Sequence, residues 1–235
     1  MSQYLKHLTE MSGKETFQRK IDYLEFNTSS FTKSLKNKTS KVLEVGPGTG
    51  EFEAYLNKKK IYDIDIVDND KSILNYVSNK FKIKNKILTN DISKINKKLR
   101  NYDLIFLMQV LEHIPISQYQ KFVKTLFNHL NKEGVMIIIV PNANNPLGLI
   151  ERYADLQHTS AFTTQSLKDL IDLANLKKYE IAIQGFEIPP FGIVNIIRKF
   201  LQKILHLFLL GIMVINGGLF FNILTPNIML VIKKK

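Results

Sequence analysis

The feature that most constrains the fold is a regular alternation of short apolar runs with helix-like stretches from residue 41 onward. Runs of roughly four to eight Val, Ile and Leu residues are typical of strands that are buried on both faces. Because such strands alternate with helices, the pattern indicates a doubly wound α/β fold with a mostly parallel sheet. Six strands are predicted, at 41–46, 63–68, 85–88, 102–108, 134–141 and 179–186.

The intervening segments have helical periodicity. Helices are predicted at 71–81, at 116–130 and at 163–176, the last with a Thr/Ser cap at its start. Residues 1–38 are also predicted to be helical, with Phe17, Ile21 and Leu24 on one face. We expect them to form an N-terminal cover over the sheet.

Length and composition limit the classes that remain. A chain of 235 residues accommodates one sizeable domain, and the absence of cysteine excludes disulfides, zinc–cysteine sites and cysteine nucleophiles. The first twenty residues carry both charge signs and no apolar core, so no secretory signal is predicted there and a cytoplasmic location is expected. The net charge of +12 comes mostly from dispersed lysines, which favours solvated lysine faces over a nucleic-acid groove.

A glycine-rich loop follows the first strand, in the stretch LEVGPGTGEF. Gly46, Gly48 and Gly50 permit a tight turn and close approach of a ligand to the backbone. The spacing differs from that of dinucleotide-binding loops and of P-loops. Glu44 would repel a pyrophosphate, but it suits an ammonium or sulfonium group.

Two further acidic positions follow the next two strands. Asp68 ends the second strand, where a carboxylate can accept hydrogen bonds from both hydroxyls of a ribose. The third strand is followed by Asn-Asp-Ile at 90–92. Together with the glycine loop, these positions resemble the class I S-adenosylmethionine-dependent methyltransferases.

The resemblance implies a role for each matching position, with S-adenosylmethionine as cofactor and S-adenosylhomocysteine as product. The methionine portion is expected at the glycine loop, the ribose at Asp68, and the adenine at the Asp-Ile pair. The implied cofactor-binding residues are Glu44, Gly46, Gly48, Gly50, Asp68, Asn69, Asp91, Ile92 and Gln109.

The resemblance also implies the complete architecture of a single domain. Class I methyltransferases have a seventh strand, antiparallel, between strands five and six, and residues 225–235 fit it. The expected fold is therefore a doubly wound, seven-stranded Rossmann-like sheet. It would comprise the N-terminal cover (1–38), the cofactor-binding core (41–186), an apolar helical insertion (187–224) and the last strand.

The segment after the fourth strand, MQVLEHIP, narrows the class. Glu112 and His113 resemble a branch that includes ubiquinone O-methyltransferases and methyltransferases of bacterial capsule and lipopolysaccharide clusters. Some ubiquinone-type enzymes hold a divalent cation with Glu-x-x-Glu-His at this point. Here Gln109 replaces the first carboxylate, so no metal is predicted.

The segment after the fifth strand resembles the polysaccharide-cluster branch, in which an Asp-x-x-His lies beside the acceptor pocket. Asp155 and His158 occupy those positions. His158 is the predicted general base and His113 the second candidate, because histidine titrates near neutral pH. A role for His113 in capping the turn stays open, and so does an anionic acceptor held by Arg152 and Tyr153.

The sequence therefore predicts an O-methyltransferase for a surface-polysaccharide precursor. The acceptor is expected to be a small molecule or a nucleotide- or lipid-linked glycan, methylated on a sugar hydroxyl or a phosphate- or phosphoramidate-type group. Alternatives are a quinone or lipid O-methyltransferase, an RNA methyltransferase, and a non-catalytic partner protein that binds the cofactor. A homodimer is also left open.

The apolar insertion raises the question of a membrane. Residues 204–224 carry no charge, but they lie between two strands of one sheet and are too short to cross a bilayer twice. A transmembrane span is therefore rejected. Two interpretations of residues 193–215 remain: contact with the inner membrane surface as a peripheral protein, or packing onto the sheet, a partner subunit or the acceptor pocket.

Overall fold

The computed structural model describes residues 2–11, 13–33, 35, 39–217 and 221–235. They form a seven-stranded sheet with helices on both faces, and this confirms the predicted fold class. The strands are β1 (Val42–Val45), β2 (Ile64–Asp68), β3 (Asn85–Leu88), β4 (Tyr102–Met108), β5 (Leu130–Pro141), β6 (Tyr179–Gly185) and β7 (Asn227–Lys234).

The strand order is β3-β2-β1-β4-β5-β7-β6, and β7 runs antiparallel to both neighbours, as expected. β5 begins earlier than predicted, because Leu130 already pairs with Tyr102 before a shift in register. The order reverses between β1 and β4, and ligands of doubly wound sheets bind at the carboxyl edge of such a point.

Eight α-helices are present among the residues that the structure describes. They are α1 (Gln3–Met11), α2 (Lys14–Thr32), α3 (Glu51–Lys58), α4 (Lys71–Lys80), α5 (Tyr119–Asn128), α6 (Leu149–Ala154), α7 (Thr164–Ala174) and α8 (Ile193–Ile215). The predicted cap at Thr163 is confirmed: its hydroxyl accepts a hydrogen bond from Ser166 N, and the Ser166 hydroxyl bonds to Thr163 N in return.

Alternate residues of each strand face opposite sides of the sheet. In β4, Ile105 and Leu107 join a cluster with α5 and α7, while Leu104 and Phe106 pack with α2, α3 and α4. Both faces of the central strands are therefore covered, and the carboxyl edge is left to carry the site.

Helix α8 leaves the sheet after β6 and does not pack its apolar side chains onto it. Of its residues, only Leu209 is buried. No helix in the described ranges is long and apolar enough to cross a membrane. Residues 218–220 of the predicted insertion lie outside the described part of the chain.

Candidate active site

The glycine loop joins β1 to α3 at the carboxyl edge. Gly46 has a φ of +72°, and a Cβ placed there would lie 2.4 Å from Val110 Cγ2. The turn after β4 is therefore packed directly against the loop, so only glycine fits position 46. Gly50 is crowded in the same way by Phe81, whereas Gly48 (φ +54°) has no such close neighbour.

Two buried carboxyls lie beneath this loop. Glu44 in β1 and Glu53 in α3 are 3% and 0% exposed, and burial raises the pKa of both carboxyls well above the ordinary glutamate value. When both are ionised, Glu44 Oε2 and both Glu53 oxygens lack a hydrogen-bond partner among the described residues. A buried carboxylate without a hydrogen-bond partner is stabilised by a nearby cation, so the pair fits the ammonium of the expected cofactor, which can donate hydrogen bonds, and its sulfonium, which supplies only charge.

Asp68 ends β2 beside the glycine loop. Its Oδ1 accepts a hydrogen bond from Asp70 N at 2.7 Å, and burial raises the pKa of its carboxyl to about 6. Asn69 is exposed at the same turn. Asp68 therefore lies at the strand end where a ribose is expected, but its affinity for hydroxyl donors depends on ionisation close to neutral pH.

The Asp-Ile pair after β3 has clear structural roles. Asp91 Oδ1 accepts hydrogen bonds from Ser93 N (2.9 Å) and Ser93 Oγ (2.7 Å), which caps the 3-10 helix Ile92–Lys98. These bonds lower the pKa of the Asp91 carboxyl. Ile92 is buried in the core. Contacts of both residues with adenine remain predictions.

The N-terminal helices cover this edge, and they contribute a residue that the sequence analysis missed. Ser2 Oγ donates a hydrogen bond to Asp70, and Phe17 of α2 stacks on Phe81 behind Gly50. Tyr4 of α1 has a pKa above the usual tyrosine value, first through burial and then through the charges of Asp68, Asp155 and Glu112. The charges that act on the Tyr4 hydroxyl thus come from both the expected ribose site and the predicted acceptor loop. Its only sequence signal is its place on a short N-terminal helix.

The two candidate bases are far apart in the sequence but adjacent in space. The ring centroids of His113 and His158 are 4.7 Å apart. Thr159 holds them together, because its backbone N–H and its hydroxyl both donate to the carbonyl oxygen of Glu112, at 2.8 and 3.0 Å. Asp155 caps the intervening turn through Gln157 N. The loop after β5 is therefore latched onto the turn after β4.

The environment of this pair suits acid–base chemistry. Burial, and then the neighbouring His158, lower the pKa of His113 below the ordinary histidine value, so His113 is neutral at pH 7. Glu112 is buried beside the two rings, and one ligand atom from each of the three residues lies within 4.8 Å of the others. One carboxylate with two imidazoles is also a donor set for Zn²⁺. The absence of a metal therefore stays a prediction.

The remaining predicted residues lie around this centre. Gln109 directly follows β4, is exposed, and has a φ of +54°, a conformation uncommon outside glycine that often marks functional sites. Arg152 stacks over the Tyr153 ring at 5.2 Å, and Tyr153 is largely exposed on α6. These two residues therefore lie at the surface, and their contact with an anionic acceptor stays a prediction.

The fold, the glycine loop and the acidic strand ends together define a class I methyltransferase. A family model described as "Methyltransferase domain" matches residues 13–181, so the chain belongs to this family. It is a methyltransferase whose cofactor is S-adenosylmethionine.

Several known proteins are similar to the chain. Phosphoethanolamine N-methyltransferase of Plasmodium falciparum is 27% identical over 161 residues, and the match covers 59% of each protein. A SAM-dependent methyltransferase from Archaeoglobus fulgidus shares the fold with a TM-score of 0.62 at 17% identity, covering 94% of this chain and 97% of that one. The plantazolicin methyltransferase BpumL, solved with SAH, has a TM-score of 0.62 at 16% identity, covering 98% and 88%.

Proposed function

We propose that this enzyme methylates a hydroxyl oxygen of a surface-polysaccharide precursor, with His158 as general base. The observation that carries the proposal is the His113–His158 pair, latched beside the acidic strand ends that are expected to hold the cofactor. When bound, S-adenosylmethionine supplies a methyl group on a sulfonium sulfur. The protein must then position the acceptor oxygen and remove its proton.

The histidine pair provides a route for the acceptor proton. A neutral imidazole would accept the hydroxyl proton as the acceptor oxygen bonds to the methyl carbon and the methyl–sulfur bond breaks, with S-adenosylhomocysteine as the leaving group. The carboxyls of Glu112 and Asp155 lie close enough to influence nearby titrating groups, and they would stabilise the imidazolium that results. A phosphate- or phosphoramidate-type acceptor is already ionised and would need no base.

A second candidate is methylation of an amine. Two observations favour it: the similarity to phosphoethanolamine N-methyltransferase, and the carboxylates of Asp68, Asp155 and Glu112 around Tyr4, which would attract a cationic acceptor. The chain spans 59% of that relative's length, so its acceptor is not transferred directly. Quinone or lipid and RNA acceptors are further alternatives.

Transfer of label from radiolabelled S-adenosylmethionine distinguishes these acceptors. The purified protein is incubated with phosphoethanolamine, and separately with an extract of the source cells that is afterwards split into nucleotide-linked, lipid or glycan, and RNA fractions. Label in nucleotide-linked or glycan material supports the proposal. Label in phosphoethanolamine selects the amine, and label in RNA contradicts both candidates.

Variants of the pair test the mechanism. We expect His158→Gln to lower kcat by about a hundredfold or more while the cofactor Kd is unchanged. His7→Gln is the matched control, because His7 lies outside this cluster on α1. Activity that is insensitive to EDTA is expected, and its loss with restoration by a divalent cation would overturn the predicted absence of a metal. An equal kcat in His158→Gln and the wild type would exclude His158 as base.

A further inference from the structure

Over its first four turns, helix α8 has its polarity reversed relative to an ordinary surface helix. Its partly buried side, turned toward the body of the protein, carries Asn195, Lys199, Gln202 and His206 along the first four turns, and then Leu209, Leu210 and Met213. Its outward side is apolar, and it includes Ile197, Phe200, Leu201, Ile204, Leu207 and Phe208, of which Leu207 is 70% exposed. A helix in water normally buries its apolar stripe, so the outward side of α8 requires an apolar environment.

The polar side is fixed in place by specific contacts. Lys199 lies 3.6 Å from Glu187 Oε2 and sits over the Phe26 ring of α2. The Asn27 side chain bonds to both backbone groups of Glu187, donating to its carbonyl oxygen at 3.0 Å and accepting from its N–H at 2.8 Å. The reversed orientation is therefore held by α2, and the apolar side is turned outward as a consequence.

Both ends of the insertion meet the sheet at the edge that carries the site. The chain departs from the carboxyl end of β6 and returns to the amino end of β7, which is antiparallel and so begins at the same edge. On the return side, Asn142 at the end of β5 donates to the carbonyl oxygens of Ile223 and Thr225 at 3.0 and 2.8 Å. The insertion that carries α8 therefore begins and ends at the edge that holds the cofactor and acceptor residues.

The charges of this segment identify the kind of surface that it fits. No acidic residue occurs between Glu187 and the C-terminus. At 3.6 residues per turn, the exposed apolar residues cover about half of the circumference of α8. Arg198 and Lys203, both exposed, lie at the two opposite borders of that arc. Basic residues that flank a wide apolar face match a helix in the interface of an anionic bilayer.

A second copy of the chain fits these features less well. A partner helix covers a narrower stripe, and apposed copies would bring together segments that carry only basic charge. We propose that α8 is an interfacial anchor that lies in the headgroup region of an anionic membrane and holds the carboxyl edge of the sheet against it. The proposal goes beyond the acceptor chemistry, since it concerns where the enzyme works.

Flotation with vesicles tests the anchor. The full chain is mixed with vesicles of phosphatidylcholine and phosphatidylglycerol, and separately with pure phosphatidylcholine. We expect the protein to float with the mixed vesicles, and Arg198→Gln/Lys203→Gln to bind them about tenfold more weakly. Lys121→Gln/Lys124→Gln on α5 is the matched charge control, because both of its lysines are exposed.

A second pair of variants separates the apolar contribution. Phe200→Gln/Phe208→Gln should abolish flotation, whereas Leu173→Gln, an exposed apolar position on α7, should leave it unchanged. Unchanged S-adenosylhomocysteine binding shows that each variant is folded. Wild-type protein that stays in solution with the mixed vesicles overturns the proposal, and so does a dimer that Phe200→Gln/Phe208→Gln converts to a monomer without any flotation. Methyl transfer to a water-soluble acceptor is measured separately, so either proposal can fail alone.

Discussion

At the scale of single residues, the candidate site contains carboxyls that are buried away from water and a glycine that no other residue could replace. Glu44, Glu53 and Asp68 are carboxyls with raised pKa values, and Gly46 occupies a conformation and a space that exclude a side chain. Glu44, Gly46 and Asp68 were predicted as cofactor-binding positions from the sequence, because a motif reports residue type at a strand end. The partner Glu53 was not, since its proximity to Glu44 depends on how α3 packs.

The titration of Asp68 predicts a pH-dependent affinity for the cofactor. Its carboxyl has a pKa of about 6 in the free protein, and only the ionised form accepts both ribose hydroxyls. The affinity for the cofactor is therefore highest well above this pH and falls as the pH drops through about 6. We expect the Kd for S-adenosylhomocysteine to rise about tenfold from pH 7 to pH 5, measured by calorimetry. A Kd that is constant over this range would show that ionised Asp68 is not required.

Substitution of Gly46 tests the packing of the loop. Gly46→Ala puts a Cβ within 2.4 Å of Val110 Cγ2 at a φ of +72°, and we expect it to destabilise the fold by about 2 kcal/mol or more. Urea unfolding measures the change. Gly211→Ala on α8 is the control, because no atom beyond the adjoining helix backbone lies within 4 Å of its added Cβ. Gly46→Ala/Val110→Ala should recover part of the loss, and no recovery would mean that contact with Val110 is unimportant.

At the scale of elements, the sequence specified the strands closely and the helical insertion incompletely. Buried strands are continuous apolar runs with few alternatives, so β1 to β4 fall within one residue of their predicted bounds. The surroundings of α8 could not be predicted in the same way, because an apolar helix of this kind can pack into a core, bind a partner subunit or lie on a membrane. The structure excludes the interpretation in which the apolar face of α8 packs onto the sheet, because that face is exposed.

The opposite end of the sheet supplies a stability prediction. Asp65, fully buried in β2, accepts two hydrogen bonds from Arg100 and one from the Tyr102 hydroxyl, all at 2.8 Å. Arg100→Met leaves that carboxylate without its cation, which should cost about 3 kcal/mol of unfolding free energy. Lys121→Met, at an exposed position, should change it by less than about 0.5 kcal/mol. Equal midpoints in urea for both variants would show that the ion pair contributes nothing to stability.

At the scale of the whole molecule, three parts converge on one edge of the sheet. The glycine loop and acidic strand ends form the expected cofactor site, and the latched histidines form the expected acceptor site. The insertion that carries α8 begins and ends at the same edge. The convergence of the first two was predictable, because carboxyl ends of parallel strands share an edge. The charges acting on Tyr4 and the outward face of α8 were not, since both depend on how helices pack around the sheet.

The most direct test of the account is binding of S-adenosylhomocysteine to the wild type and to Asp68→Ala, followed by calorimetry at pH 7. The account predicts one site per chain in the wild type and an affinity at least about tenfold lower in Asp68→Ala, because the ribose hydroxyls lose a charged acceptor. Asp172→Ala on α7, exposed and remote from the edge, should bind like the wild type. Equal affinities for the wild type and Asp68→Ala would contradict the assigned cofactor site.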